Sequence, residues 1–268
     1  MNVVRSMGQE RPWSFILGAS SGMGEACARE LHAAGMNVYG LHLDASSARP
    51  HVDQLLADLN QDGTCGRLLN ANAARASVRE AVIAELKERA GARGLAVMVH
   101  SLAFGSLGPL IANGDGGRLS ASQIEMTLDV MANTLVYWVQ DLHEAGLLGP
   151  AAKVFALTSA GSTKVAPHYG AVSAAKAALE AYVRQLAFEL ARSGVSVNAI
   201  RAGVTLTPAL RRIPGHERIV DRAREINPHG RLTTPEDVGQ AIALMCRTPS
   251  TWITGNVIGV DGGEYFSS

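Results

Sequence analysis

The segment Trp13-Ser14-Phe15-Ile16-Leu17-Gly18-Ala19-Ser20-Ser21-Gly22-Met23-Gly24 decides the fold of this chain. Trp13–Leu17 is an apolar run of strand length, and it gives way to glycines spaced Gly-x-x-x-Gly-x-Gly. The residues that follow, to Ala34, carry a helical pattern. A strand that turns through glycine into a helix gathers unpaired backbone N–H groups and the positive end of the helix dipole at one point. Glycine lets the backbone turn tightly there and come close to a pyrophosphate. Gly18, Ser20, Ser21, Gly22, Met23 and Gly24 are therefore expected to cradle the phosphates of a dinucleotide.

The alternation continues outward. Strand-like runs recur at Asn37–Leu41, Ala96–His100, Lys153–Thr158, Ser196–Ile200 and Val257–Val260, with a weaker one at Arg67–Asn70. Helical stretches lie at Gly22–Ala34, Ser47–Gln61, Ala74–Ala90, Ile124–Leu148, Tyr169–Arg192 and Pro235–Cys246. This order predicts an α/β fold with a doubly wound, Rossmann-type parallel sheet, as a single domain over residues 1–268. Two segments break the rhythm, Gly105–Ser122 and Thr207–Arg231. Excursions after strand ends in such folds build binding sites, so the second is read as a helical substrate lid over 207–231.

Composition narrows the class. With 268 residues, 47% hydrophobic and 18% charged, the chain can bury one large globular core. Its 24 Lys+Arg balance 24 Asp+Glu, so no basic surplus points to nucleic acid or an anionic membrane. Cys27, Cys65 and Cys246 stand apart, without the CxxC or Cys/His spacing of a metal site, and are read as buried free thiols in a reducing compartment. No apolar run reaches the length of a membrane span, and Met1–Trp13 lacks a signal-peptide core. A cytoplasmic protein is expected.

A second spacing bears on chemistry. In His168-Tyr169-Gly170-Ala171-Val172-Ser173-Ala174-Ala175-Lys176, seven positions separate Tyr169 from Lys176. Helical steps of four and of seven both return to nearly the same face, rising about 6 Å and about 10.5 Å. Tyr169 can share a face with Lys176, one turn further back than a four-residue spacing would place it.

Across roughly residues 13–263 the chain resembles the short-chain dehydrogenase/reductase superfamily. The glycine loop matches, with Leu17 where a Thr is usual. Asn133 in Ala132-Asn133-Thr134-Leu135 resembles the superfamily's helix asparagine, and Ser159 the serine before its catalytic helix. Val197-Asn198-Ala199-Ile200 with Ala202-Gly203 resembles its sixth strand and turn, and Val260-Asp261-Gly262-Gly263 the end of its last strand. Its usual tyrosine lies four residues before the lysine; that slot here is Val172, which can do no acid–base chemistry. The seven-residue spacing resembles the enoyl-acyl-carrier-protein reductase branch. So do His100-Ser101-Leu102-Ala103-Phe104 after the fourth strand and Arg201-Ala202-Gly203 in place of a Pro-Gly turn.

This resemblance implies NAD(P)H-dependent reduction of the carbon–carbon double bond of an enoyl thioester, on acyl carrier protein or CoA. Reduction at the β-carbon leaves the developing enolate oxygen displaced from the nicotinamide, and a donor set back one turn suits that oxygen. Tyr169 would stabilise the enolate, with Lys176 binding the nicotinamide ribose and lowering the tyrosine pKa. Ser159 would assist, and Asn133 would either support a water or the backbone near Lys176 or serve only in packing. Ser101, Leu102 and Ala103 would line the cofactor site, Asn72 would sit near adenine, and Gly203, Thr205 and Thr207 would form the nicotinamide carboxamide turn. Phe104 and Leu107 would line the acyl pocket or belong to the core.

His42 is either a ribose contact or a solvent-facing residue, and NADH and NADPH stay open. The lid carries Arg211, Arg212, Arg218, Arg222, Arg224 and Arg231 against Glu217, Asp221 and Glu225. These either meet the phosphates of CoA or an acidic carrier protein, or pair on a solvated helix. Ile213, Ile219 and Ile226 are spaced to give that lid an apolar underside. The alternatives are a ketoreductase or alcohol dehydrogenase of the same fold and a non-catalytic nucleotide binder. A homotetramer is expected, pairing long helices through Ala174, Ala175, Ala177, Ala178 and Ala181, and pairing C-terminal strands.

Overall fold

Seven strands pair in parallel in the order β3-β2-β1-β4-β5-β6-β7. They are β1 (Trp13–Leu17), β2 (Asn37–His42), β3 (Gly66–Asn70), β4 (Leu95–His100), β5 (Lys153–Ser159), β6 (Ser196–Ala202) and β7 (Val257–Val260). Every expected strand is present, several of them longer by one or two residues. The computed structural model describes residues 11–112, 117–213 and 215–267. The segment 1–10, which carries most of the N-terminal reading, and part of the 105–122 excursion lie outside the described residues.

The strands are near-continuous apolar runs because helices cover both faces. On one face pack α3 (Ala76–Ala90), α5 (Thr134–Glu144) and α6 (Gly170–Leu190), with α4 (Ala121–Leu128) against α6; on the other, α1 (Gly22–Ala33), α2 (Arg49–Asp58) and α8 (Pro235–Cys246). Phe15 of β1 anchors the first face, its ring 4.9 Å from that of Trp138 and 5.9 Å from that of Tyr39. Trp138 is fully buried, and its indole N–H donates to the Ala73 carbonyl at 2.9 Å. Truncating such a side chain costs about 3–5 kcal/mol.

Two helices begin at reciprocal caps. Ser120 and Gln123 cap α4, and Thr234 and Asp237 cap α8, where Pro235 takes the position that needs no N–H. The helix expected over Ile124–Leu148 is instead α4 and α5 joined by a π-turn at Asp129–Asn133. One residue too many in a turn leaves the apolar pattern on both sides intact, so periodicity passes over it. The stretch expected as Ser47–Gln61 is a short 3₁₀ turn, Ser46–Ala48, followed by α2.

Strand order reverses between β1 and β4, where Leu17 pairs with both Leu41 and His100. Ligands of such sheets bind outside the strand ends at this switch point. Of the cysteines only Cys27 is buried, its thiol pushed up to about 12 by burial; Cys65 and Cys246 are half-buried and unbridged. Among the described residues no helix is long and apolar enough to cross a membrane.

Candidate active site

The glycine turn leaves β1 as expected. Gly18 has φ +85° and Gly22 φ +55°, backbone conformations that favour glycine. The N–H groups of Gly18 and Ala19 both donate to the Leu41 carbonyl, at 2.8 and 2.9 Å. A Cβ at Gly24 would overlap the Gly18 carbonyl oxygen, so glycine there lets α1 begin directly over the turn. Ser20 is buried, and Ser21 caps α1 without spending its hydroxyl on the helix. Across the switch point, Ser101 N–H donates to the Leu17 carbonyl at 2.9 Å, and the Ser101 carbonyl lies against Gly18. Free helical N–H groups, an uncommitted serine hydroxyl and an open crevice fit a dinucleotide pyrophosphate.

A cleft of about 650 Å³ opens from this turn. Met23, Ser101, Leu102, Ala103, Phe104, Ser159, Tyr169, Lys176, Gly203, Thr205 and Thr207 line it. Tyr169 caps α6 rather than standing inside it: its backbone is non-helical at φ −101°, ψ 2°, while its carbonyl accepts the first helical hydrogen bond from Ser173. The seven-residue spacing thus places the phenol at the mouth of the helix, with the buried, apolar Val172 one turn inside. Tyr169, Leu107, Met131, Val172 and Ala175 pack as one cluster.

Lys176 is buried, and its Nζ donates to the Leu157 carbonyl at 2.6 Å. Burial pushes the ammonium down to about 8, with Glu180 working the other way. Glu180 in turn accepts from the Thr158 hydroxyl at 2.7 Å. The expected lowering of the Tyr169 pKa by Lys176 is not found. Burial raises the phenol, and the group that pulls it down is the neighbouring Ser159 hydroxyl. Ser159 Oγ is buried with no hydrogen-bond partner of good geometry among the described residues, so it has a donor to spare for a ligand.

Asn133, Asn72 and His42 are not among the residues lining the cleft. Asn133 ends the π-turn, and its carboxamide oxygen accepts from the Tyr182 hydroxyl at 3.1 Å. That bond ties it to the packing between helices, outside the cleft lining. Asn72 Oδ1 accepts from Ala74 N–H at 2.9 Å, turning the chain after β3. His42 is buried, and its Nδ1 lies 2.8 Å from the Asp44 carboxylate, so it is not solvent-facing. The lid contains α7 (His216–Ile226), and Ile213, Ile219 and Ile226 all face the cleft together with Arg212, Arg218 and Arg222.

The far wall of the cleft comes from the end of the chain. Asp261, Glu264 and Tyr265 from the C-terminal tail line the cleft beside Arg201 and Lys164. Both Glu264 carboxylate oxygens accept from Val204 N–H at 3.1 Å, fixing the turn after β6. Thr205 adds a parallel bridge to Thr233. The Glu264 contact joins segments sixty residues apart, and no local pattern announces it.

A glycine turn feeding a cleft whose wall holds a tyrosine and a buried lysine is the arrangement of nicotinamide-dependent short-chain dehydrogenases and reductases, and the comparisons agree. The chain belongs to the enoyl-(acyl carrier protein) reductase family, whose model matches residues 18–264. It is thus an NAD(P)H-dependent oxidoreductase by family.

It is 33% identical over 173 residues to an NADH enoyl-[acyl-carrier-protein] reductase of Aquifex aeolicus, a match spanning 64% of this chain and 62% of that protein. It is 29% identical over 240 residues to one of Nostoc sp., covering 88% of each. The crystal structure of the Aquifex aeolicus enzyme superimposes with a TM-score of 0.82 at 26% identity, over 96% of this chain and 97% of the other. A 3-oxoacyl-[acyl-carrier protein] reductase of Brucella melitensis in complex with NAD shares the fold, with a TM-score of 0.83 at 22% identity over 97% of this chain and all of the other.

Proposed function

We propose that this protein catalyses the NADH-dependent reduction of the carbon–carbon double bond of an enoyl thioester carried on acyl carrier protein. The observation that carries this reading is the cleft wall itself. Tyr169 and Lys176 share it, while the position four before the lysine is the buried, apolar Val172. A nicotinamide dinucleotide held at the glycine turn would supply the hydride. Tyr169 donates a hydrogen bond to the thioester oxygen as negative charge develops there, and Ser159 supports the phenol. Lys176 holds a positive charge beneath the site and offers its remaining N–H groups to the ribose. The apolar lid underside excludes water from the developing enolate.

The end of β2 favours NADH. Asp44 pairs with His42, and Asn70 Nδ2 donates to the Asp44 carbonyl at 3.0 Å. A carboxylate held there opposes a 2′-phosphate and suits free ribose hydroxyls. The curated relatives named above carry NADH in their names. On the lid, Arg222 pairs with Glu225 and Arg231 with Asp237. Arg212 and Arg218, also at the cleft, make no side-chain hydrogen bond or ion pair among the described residues. They suit an acidic carrier surface.

Self-association as a tetramer is part of the same proposal. Ala174, Ala177, Ala181 and Phe188 form an exposed stripe along α6, with Phe188 79% exposed. β7 is an edge strand, and Trp252 before it is 94% exposed. Ala175, expected in that interface, lies in the core instead. Light scattering that returned a monomer mass at micromolar concentration would remove this part.

The central test follows the oxidation of NADH and NADPH with crotonyl and acetoacetyl thioesters, for the wild type and Tyr169→Phe. NADH oxidation with the crotonyl thioester, slowed about 10²- to 10³-fold in the variant, supports the reading. Oxidation with the acetoacetyl thioester alone overturns it in favour of a ketoreductase.

A further inference from the structure

The floor of the cleft holds a cation with unfilled donors. Arg201 is on β6, paired in register with Thr158, the residue before Ser159. Its side chain is 21% exposed, and its Nε is buried without a hydrogen-bond partner. Nη2 lies 3.7 Å from an Asp261 carboxylate oxygen, beyond a good hydrogen bond. The guanidinium donates no hydrogen bond among the described residues. What holds the group is stacking: its carbon lies 3.6 Å from the centre of the Tyr265 ring. Lys164 Nζ is 4.8 Å from the same ring and donates to the Tyr265 carbonyl at 3.3 Å. A stacked guanidinium is held by its face, and Arg201 lines the cleft.

Resting on the enoyl-reductase reading, we infer that Arg201 reads a carboxylate on the acyl part of the substrate. The enzyme would act on enoyl thioesters whose short chain ends in a second, anionic group. The acids on this wall each hold a backbone N–H, and the second Asp261 oxygen is the one 3.7 Å from Arg201. Asp261 accepts from Gly263 N–H at 3.0 Å, and Glu264 holds Val204 N–H. Their presence opposes a dianionic phosphate, whereas a planar, singly charged carboxylate matches the guanidinium fork. Position argues the same way. Arg201 lies at the sheet, beside the strand end that bears Ser159, while the arginines placed for a carrier's phosphate are on the lid. An anion reaching Arg201 therefore belongs to the acyl end of the substrate.

The test compares the six-carbon trans-2-enedioic acid monothioester with the trans-2-hexenoyl thioester, in the wild type, Arg201→Gln and Arg201→Lys. The quantity read is the ratio of kcat/KM for the two substrates, so that a general loss of folded enzyme cancels. The inference expects the wild type to prefer the carboxylated substrate. Arg201→Gln should lower the ratio about 10- to 100-fold, and Arg201→Lys should restore part of it. Calorimetric binding of the saturated dicarboxylic monothioester should weaken in parallel. If the hexenoyl thioester is reduced but the ratio is indifferent to Arg201, the inference falls and the enoyl-reductase reading stands. If neither thioester is reduced, both fall together.

Discussion

The phenol ring of Tyr169 rests on the backbone of Gly161, so closely that a Cβ at 161 would overlap its Cε1. The same Cβ would lie 3.3 Å from Ser159 Oγ. Gly161 has no unusual backbone angle, so the restriction is purely steric. Gly161→Ala should fold, displace the ring and lower kcat by about tenfold to a hundredfold, with little change in KM for NADH. Wild-type kcat in the alanine variant would dismiss this packing as irrelevant to chemistry.

Lys176 ties stability to alkaline pH. Its ammonium is pushed down to about 8 by burial, whereas in an unfolded chain it titrates at about 10.4. Between those values the unfolded chain keeps a proton that the folded protein has released, so stability rises with pH across the window, by on the order of 3 kcal/mol. Denaturant unfolding from pH 8 to 10 should show this rise in the wild type and a flatter profile in Lys176→Met. Equal slopes would place the titration on another group.

His100 acts in the same sense at acid pH. Its Nε2 lies 2.8 Å from Thr134 Oγ1, whose own proton goes to the Val130 carbonyl at 2.7 Å. Nε2 therefore carries the hydrogen, and Nδ1 is buried without a partner among the described residues. Burial first, then the Lys176 charge, pushes the imidazole down to about 3. Below pH 6.5 the unfolded chain binds a proton that the folded protein refuses, so roughly 3 kcal/mol is lost by pH 4. His100→Asn should be less stable at pH 7 and lose less stability on acidification, as read by thermal melts at both pH values.

Glu264 should govern cofactor affinity from outside the cofactor. Both its oxygens hold Val204 N–H, immediately after Gly203. Releasing a charge-assisted bond of this kind costs about 1.5–3 kcal/mol. Glu264→Ala should raise KM for NADH by about tenfold or more while kcat at saturating NADH changes less. An unchanged KM would show that the turn is set by Thr205 and Thr233 alone.

What the chain discloses before folding is what repeats or clusters locally. β1 and its glycines, the strand–helix alternation and the Tyr169–Lys176 interval are short-range patterns, and each is found where it is expected. Other features depend on residues meeting across the fold. Asn133 is drawn to Tyr182, forty-nine positions away, and Glu264 to Val204, sixty positions away. The tail residues Asp261, Glu264 and Tyr265 become a cleft wall only once β7 has joined the sheet edge. Even Tyr169 differs in a telling way: the interval is right, yet the residue caps its helix instead of entering it.

That cap has a mechanical consequence. Gly108 N–H donates to the carbonyl of His168, the residue before Tyr169, at 2.9 Å, and a Cβ at Gly170, the residue after, would lie 2.8 Å from Leu110. The segment that bounds this side of the cleft and the residue that carries the phenol are thus yoked, and His168 sits between them at φ +61°, a conformation with little slack. On the enoyl-reductase proposal, an ill-fitting acyl chain that propped this segment outward would drag the hydroxyl off its mark. Discrimination between substrates would then be exercised at turnover, after capture, and a poor substrate would bind well and react slowly.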